Sequence, residues 1–281
     1  MPITWRFLRD TTGWRVFASV TQHFEPQIDD SAPNGTIGID INADHLAVAV
    51  TDRHGNPIAY RRFNTPVGLT SEQTKAIMGD ACKTIVDLAV QYRTPLVIEK
   101  IDFSKKKAQL ETNVNARKAR MLSSFAYNQF KTMLRSRAIR HGVPLKEINP
   151  AYTSVIGAVK FAKRYGVSVH LSAALAIARR GMSLSERIPC QPGTPLGDGS
   201  HVALDPPVRM GRRHVWKSWA VVARGRNAVL AGHFRSVRMS RSLVARAQAP
   251  ATSRPTLRLT GANPVTQSLT LLFGRRNGIV S

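Results

Sequence analysis

The sequence predicts an α/β domain over residues 35–188, with a mixed sheet flanked by helices. Three observations carry this prediction. β-branched segments follow one another from Thr36 to Phe63, a capped helical pattern begins at Thr70, and short apolar runs then alternate with further helical patterns. Residues 1–34 are predicted to form a β-hairpin and a linker, and residues 189–281 a basic, largely disordered tail.

The N-terminal segment has the pattern of a β-hairpin. Residues 3–8 and 14–20 alternate apolar and polar side chains on either side of the turn-forming residues 10–13. Residues 22–34 contain two prolines and several turn formers, which indicates a linker to the next domain.

The first half of the predicted domain is rich in strands. Three of them are expected at 36–41, 45–51 and 57–63. Thr70 and Gln73 make a capping box at the start of a helix that ends before Pro95. Leu96, Val97 and Ile98 then form a short apolar run typical of a buried strand.

The second half is mainly helical. A helix is predicted from about 122 to 141 and a short strand over 145–148. Two further helices follow over 154–164 and 169–180, and Ser168 caps the second.

The net charge of +24 predicts a polyanionic partner, most often a nucleic acid, with an anionic membrane surface as the weaker alternative. The charge is unevenly placed. Residues 206–281 hold 14 Arg and Lys and no Asp or Glu, so they carry +14 of the total and residues 1–205 carry the other +10. The tail is therefore either a binding arm or a segment without a selected function.

Cysteine use and hydropathy indicate a cytoplasmic protein. Cys82 and Cys190 are the only cysteines and belong to no Cys-x-x-Cys pair, so neither a disulfide framework nor a zinc ribbon is expected. The sequence contains no apolar window of about 18 residues that could span a bilayer. We expect no membrane partner and a nucleoid-associated location.

Two carboxylates occur where charge is unfavourable. Asp40 lies inside the β-branched run Gly38-Ile39-Asp40-Ile41, and Glu99 directly follows Leu96-Val97-Ile98. On neighbouring buried strands they would converge, repel each other and raise each other's pKa, unless a divalent metal bound both. Two such ions, about 3.5–4 Å apart, would activate a water and stabilise the leaving oxygen in phosphodiester hydrolysis. The alternative is that each carboxylate pairs with a buried base or caps a turn.

Three segments together resemble a known family. GIDINADHLAVAVTDRHGNPI, LVIEKIDFSKKK and INPAYTS are similar, in order and spacing, to the RuvC-type nuclease core of TnpB (OrfB) proteins encoded by insertion sequences. The resemblance covers roughly residues 3–187. It implies an RNase H-like (RuvC-type) fold and an Mg²⁺- or Mn²⁺-dependent DNA endonuclease that takes part in transposition. By similarity, Asp40 and Glu99 are catalytic residues and metal ligands.

The third metal ligand is left open. The family has an Asp two residues before a small-residue triplet on the last helix, and alignment with Ser172-Ala173-Ala174 places His170 there. His170 is therefore the candidate, and an ordinary surface or core histidine is the alternative. Asp205 is a second candidate in a loop-like setting, and Asp44 is expected at a strand end, where it could assist the metal.

The chain departs from the family in two ways. No cysteines follow Tyr152-Thr153-Ser154, where the family has a zinc ribbon, so zinc is not expected. In place of the family's long N-terminal region for guide RNA and target DNA, the hairpin at 3–20 is expected. The chain therefore resembles a shortened or diverged form of the family, in which DNA is the expected partner and guide RNA an open one.

A basic stretch follows Glu99 closely. Its residues are predicted to contact the nucleic-acid backbone, and a solvated helical face is the alternative. They are Lys105, Lys106, Lys107, Arg117, Lys118 and Arg120.

Three functions remain in competition. The first is a transposon-derived, metal-dependent DNA endonuclease, and the second is a catalytically inactive nucleic-acid-binding remnant of such a transposase. The third is a phosphate-binding ATPase, because Gly38-Ile39-Asp40-Ile41 also resembles the first phosphate loop of actin-like kinases. No second glycine-rich loop accompanies that motif, so this function ranks last.

Overall fold

The computed structural model describes residues 2–42, 44–65, 70–101, 124–206 and 214–247. The chain forms two compact units, Met1–Ser236 and Val237–Ser281. Within the second unit the structure describes residues 237–247, which are helical.

The N-terminal hairpin is confirmed. Strand β1 (Ile3–Asp10) pairs antiparallel with β2 (Gly13–Val20), and the register joins Asp10 to Gly13 across the turn. A carboxylate oxygen of Asp10 accepts a hydrogen bond from the Thr12 amide (2.9 Å), which fixes the turn. Both strands are exposed along nearly their whole length.

Five strands form the central sheet in the described parts of the chain. They are β3 (Ile37–Ile41), β4 (His45–Thr51), β5 (Pro57–Asn64), β6 (Leu96–Glu99) and β7 (Leu145–Ile148). The spatial order is β5-β4-β3-β6-β7, in which β4 is antiparallel to both its neighbours and β3, β6 and β7 are parallel. This mixed sheet has the topology of an RNase H-like fold, as the sequence resemblance implies.

Helices α1 (Ser71–Tyr92) and α2 (Ser124–Arg140) pack on one face of the sheet. The capping box of α1 is present, since the Thr70 hydroxyl accepts from the Gln73 amide and the Gln73 side chain accepts from the Thr70 amide. Ile85 of α1 and Phe130 and Leu134 of α2 are fully buried. Each such side chain contributes about 1.5–3 kcal/mol relative to exposure.

The opposite face of the sheet is covered by a second helical layer. It consists of α3 (Thr153–Ile156), a π-helical segment (Gly157–Ala162), α4 (Lys163–Tyr165) and α5 (Val169–Gly181). The sequence predicts one continuous helix over 154–164, and the π-helical segment interrupts it. At Gly157 a Cβ atom would lie 2.5 Å from the Ala173 amide nitrogen, so glycine allows this segment to press against α5.

Parts of residues 189–247 form regular structure in the described chain. They are β8 (Gly193–Pro195), β9 (His201–Ala203) and α6 (Val215–Ala247). Trp219 of α6 is 1% exposed, packs in the same apolar cluster as Phe161, and donates its indole N–H to the Glu186 carbonyl (2.8 Å). Buried apolar surface therefore fixes the start of α6. Residues 248–281 lie outside the described chain.

Both cysteines are free. Cys82 is buried in α1, where burial raises the pKa of its thiol to about 12, and Cys190 is exposed. Within the described ranges, no helix is long and apolar enough to cross a membrane.

Candidate active site

The site begins at the carboxyl ends of two adjacent parallel strands. The β3–β6 ladder pairs Ile37 with Leu96, Gly38 with Val97 and Ile39 with Ile98. Asp40 and Glu99 each follow the last pair by one residue. Strands in register lie about 4.8 Å apart and place matched side chains on one face of the sheet. The register thus brings the two predicted carboxylates to the same edge and the same face.

Asp40 is buried, with 7% of its surface exposed, and its carboxylate has polar partners. The Asn42 amide donates to Oδ2 (2.9 Å), and Nδ1 of His170 lies 3.2 Å from the same oxygen. A buried carboxylate needs such partners because burial without them costs several kcal/mol. Asp40 shares its face of the sheet with Gly38, which contacts α5, and that alternation places the carboxylate beneath this helix.

His170 lies in the first turn of α5, which Ser168 caps through a hydrogen bond from the Leu171 amide. Its side chain is 43% exposed, so it forms the solvent edge of the site. The close docking of α5 on β3 sets its position. A Cβ atom on Gly38 would lie 2.1 Å from the Ala174 carbonyl oxygen, and no residue other than glycine permits that approach.

A second histidine, His45, extends the site. Its side chain is 4% exposed, and its ring meets the His170 ring edge-on with centroids 4.6 Å apart. Nδ1 of His45 lies 2.7 Å from a carboxylate oxygen of Asp44, and this hydrogen bond lowers the pKa of the Asp44 carboxyl. His45 has no predicted role from sequence. The sequence signal that could have identified it is its position beside Asp44, which lies in the short polar connection between β3 and β4.

Glu99 is held from two sides. Its Oε1 accepts a hydrogen bond from the Thr153 hydroxyl, and its backbone carbonyl accepts one from the Tyr127 hydroxyl. Thr153 also faces the Pro150 carbonyl (2.9 Å), and its single proton serves one acceptor at a time. Burial raises the pKa of the Tyr127 phenol to about 12, so it stays a donor at neutral pH. These contacts explain why the INPAYTS segment lies beside Glu99.

Arg180 is the cation of the site. Its guanidinium donates to the backbone carbonyls of Asn149 (2.5 Å) and Ala151 (2.8 Å) and lies over the Trp216 ring. Burial lowers the pKa of Arg180, and the negative charge of Glu99 opposes that shift. Arg180 therefore fixes the 149–151 turn, and its charge interacts favourably with that of Glu99, a role that the sequence pattern does not indicate.

The backbone at this turn adopts an unusual conformation. Tyr152 has φ +62°, in the left-handed region that a bulky residue occupies at a cost of about 1–3 kcal/mol. The contacts of Asn149, Ala151 and Thr153 hold the turn in place, so the surrounding structure maintains this conformation.

Metal-binding capacity rests on the two carboxylates. Among the described residues, no group of three or more His, Cys, Asp and Glu is arranged to hold a metal ion. Mg²⁺ often takes only one or two protein carboxylates and completes its octahedron with waters and phosphate oxygens. Asp40 and Glu99 fit that donor set, whereas a cage formed by protein ligands alone is not present in the described chain.

Asp205 has no described contact with this edge of the sheet. Asp205 is exposed just after β9, and none of the described hydrogen bonds or ion pairs joins it to Asp40. The predicted nucleic-acid-binding residues lie outside the described residues. They are Lys105, Lys106, Lys107, Arg117, Lys118 and Arg120.

Comparison with solved structures finds resemblance at low identity. Thermus thermophilus RuvC in complex with a Holliday junction substrate is 16% identical with a TM-score of 0.37, covering 51% of this chain and 88% of RuvC. The Cas12f1–sgRNA–target DNA complex is 13% identical with a TM-score of 0.34, covering 61% of this chain and 55% of the Cas12f1 chain. An inorganic polyphosphate/ATP-glucomannokinase from Arthrobacter sp. strain KM is 17% identical with a TM-score of 0.25, covering 43% and 46%.

Neither protein-family models nor curated proteins match this chain. The sheet order and the site geometry described above define the class, an α/β protein of RNase H-like fold with paired carboxylates at the ends of its central strands.

Proposed function

We propose that this protein is a metal-dependent DNA endonuclease of transposon origin, similar to the TnpB nucleases of insertion sequences. One observation carries the proposal. Asp40 and Glu99 follow the last paired residues of two adjacent parallel strands and face the same edge of an RNase H-like sheet. Both the order of the three sequence motifs and the net charge of +24 support a nucleic-acid substrate.

Asp40 and Glu99 would hold the ion, and His170 would become a third ligand once its ring turns from the Asp40 carboxylate, because the described residues form no three-ligand group as they stand. When bound, Mg²⁺ or Mn²⁺ supplies a water of lowered pKa and neutralises charge on a phosphate. The chain's own residues orient the carboxylates. The Asn42 amide fixes one oxygen of Asp40, and the Thr153 hydroxyl fixes one oxygen of Glu99. The half-exposed His170 side chain closes the Asp40 side of the site.

DNA is the proposed partner, and the protein would act in the cytoplasm at the nucleoid. The basic stretch after Glu99 would track the phosphate backbone next to the carboxylates. Guide RNA remains a proposal that rests on the resemblance alone. No zinc site is proposed, since Cys82 and Cys190 are the two cysteines of the sequence and do not form a Cys-x-x-Cys pair.

A cleavage assay tests the proposal. Wild-type protein is incubated with single- and double-stranded DNA in Mg²⁺, Mn²⁺ or EDTA, beside Asp40→Ala, Glu99→Ala and the surface control Asp87→Ala. We expect metal-dependent cleavage by wild type and Asp87→Ala, and a loss of at least about 100-fold in the two site variants. Cleavage that survives Asp40→Ala would show that the assigned site is wrong.

The inactive remnant remains the second candidate, and a specific observation favours it. Each carboxylate already has partners within the protein: Asp40 has Asn42 and His170, and Glu99 has Thr153 and the nearby charge of Arg180. A site satisfied in this way is stable without an ion. This candidate predicts strongly salt-dependent DNA binding with no cleavage in any divalent metal.

A further inference from the structure

A groove of about 760 Å³ runs along the outer side of α2. Helix α2 supplies one wall, and the segment that leaves the N-terminal hairpin supplies the other. The residues that matter to the argument are Gln22, Phe24, Asn128, Thr132, Ser136 and Arg140.

The α2 wall of the groove is a regular polar stripe. Asn128, Thr132, Ser136 and Arg140 are spaced four residues apart, so they lie in one row along the helix. All four are exposed, whereas the apolar residues on the other side of α2 are buried. At 1.5 Å per residue the row is about 18 Å long. Amide, hydroxyl and guanidinium donors in a row are the groups that commonly contact phosphate and sugar oxygens.

The groove is also cationic. Lys131 and Arg135 both contact Glu147, at 2.7 and 3.2 Å, so one carboxylate balances only one of the two charges. Arg135 remains 56% exposed and Arg140 adds a further positive charge. None of the described residues that line the groove is acidic. An anionic ligand therefore suits it better than a neutral or cationic one, and the length of the polar row favours a polyanion.

A neighbouring cavity provides a contrast. It has about 680 Å³, lies on the other side of Phe24 and Ile139, and includes Asp29 and Asp30 in its lining. Those carboxylates would repel phosphate, although Asp30 is paired with Lys146 at 3.1 Å. Arg135 lines this cavity as well, but the two aspartates offset its charge, so the α2 groove is the more favourable of the two for an anion.

Helix α2 also touches the strand that carries Glu99, since Tyr127 donates its hydroxyl to the Glu99 carbonyl. We propose that this α2 groove binds the sugar–phosphate backbone of one nucleic-acid strand. The inference deepens the proposed function by naming where a strand lies, and the binding itself does not depend on cleavage.

Oligonucleotide binding tests the groove without any cleavage. Fluorescence anisotropy in EDTA measures the affinity of labelled single-stranded DNA for wild type, for Arg135→Ala/Arg140→Ala, and for the control Lys75→Ala/Lys83→Ala on the exposed face of α1. The groove variant should bind about 10-fold more weakly, and its salt dependence should fall by about 1.4 in log–log slope for two lost phosphate contacts. The control should stay within about two-fold of wild type.

Equal weakening in both variants would overturn the inference, since it would show that total charge alone governs binding. Unchanged binding in the groove variant would overturn it too, since the strand would then bind elsewhere on the protein. The charge-reversal variant Arg140→Glu is a second check, with a larger expected loss of affinity.

If wild type fails to cleave DNA but the groove variant loses binding, the proposed nuclease fails and the groove stands. The groove alone fails if cleavage depends on Asp40 while binding ignores Arg140.

Discussion

Asp40 is a residue whose importance is visible from its immediate neighbours in the chain. A carboxylate among Ile39 and Ile41 is unfavourable without a partner, and the fold supplies partners in Asn42 and His170. His45, Thr153 and Arg180 could not be singled out in the same way. Their roles depend on contacts made by the folded chain: Thr153 meets Glu99 54 positions away, and Arg180 meets the turn at Asn149 31 positions away.

The role of His170 as third ligand remains a prediction, and replacing it by Asp tests it. In His170→Asp the new carboxylate faces that of Asp40, and the two repel each other. Without metal we therefore expect the unfolding free energy to fall by about 1 kcal/mol and the melting temperature by about 2–4 °C. Mg²⁺ should restore the lost unfolding free energy, because the ion prefers oxygen ligands and binds only the folded state.

Calorimetric melting in EDTA and in Mg²⁺ measures this effect. The control is His201→Asp, which makes the same charge change on exposed β9. Equal responses of the two variants to Mg²⁺ would remove position 170 from the site.

At the scale of elements, the strands were largely predictable because their signals are local. Alternation, β-branched runs and the Thr70 capping box mark β3 to β6 and the start of α1. The π-helical segment at Gly157 was not predictable, since it depends on how closely that segment approaches α5. The docking of α5 on β3 likewise depends on Gly38, and it brings His170 to Asp40.

Gly38→Ala should therefore destabilise the protein and disturb the site together. Its Cβ atom would lie 2.1 Å from one α5 backbone atom and 2.4 Å from another, so α5 must move, at a cost of about 1–3 kcal/mol or more. The matched control is Gly79→Ala in α1, where the new Cβ meets only a methionine methyl at 3.4 Å.

Because Gly79 is inside a helix, its replacement should stabilise by about 0.5–1 kcal/mol. Urea unfolding of both variants gives the two free energies. The proposed dependence of α5 docking on Gly38 fails if Gly38→Ala is as stable as wild type.

At the scale of the whole molecule, a sheet lies between two helical layers, as the sequence predicts. The composition of 189–281 favours disorder, and Trp219 and Val222 of α6 nevertheless pack in the apolar cluster on the α5 side. Composition averages over a long segment, whereas a few buried aromatic contacts are enough to order a helix. Such contacts form only in the folded chain, so composition alone could not indicate them.

Trp219→Ala tests that extension of the core. Loss of a fully buried tryptophan should cost about 3–5 kcal/mol of unfolding free energy. Phe234→Ala is the control further along α6, where the residue is 66% exposed and the cost should stay below about 1 kcal/mol. Chemical denaturation measures both values. A Trp219→Ala protein as stable as Phe234→Ala would show that α6 lies outside the cooperative core.

The most direct test of the central claim is a titration with Mn²⁺, in which electron paramagnetic resonance measures how much of the ion is bound and how tightly. We predict that wild type and Asp87→Asn bind the ion, and that Asp40→Asn and Glu99→Gln each weaken binding by at least about 10-fold, because each removes one carboxylate ligand. Mn²⁺ binding of equal strength in all four proteins, or none in wild type, would contradict the shared metal site at the ends of β3 and β6.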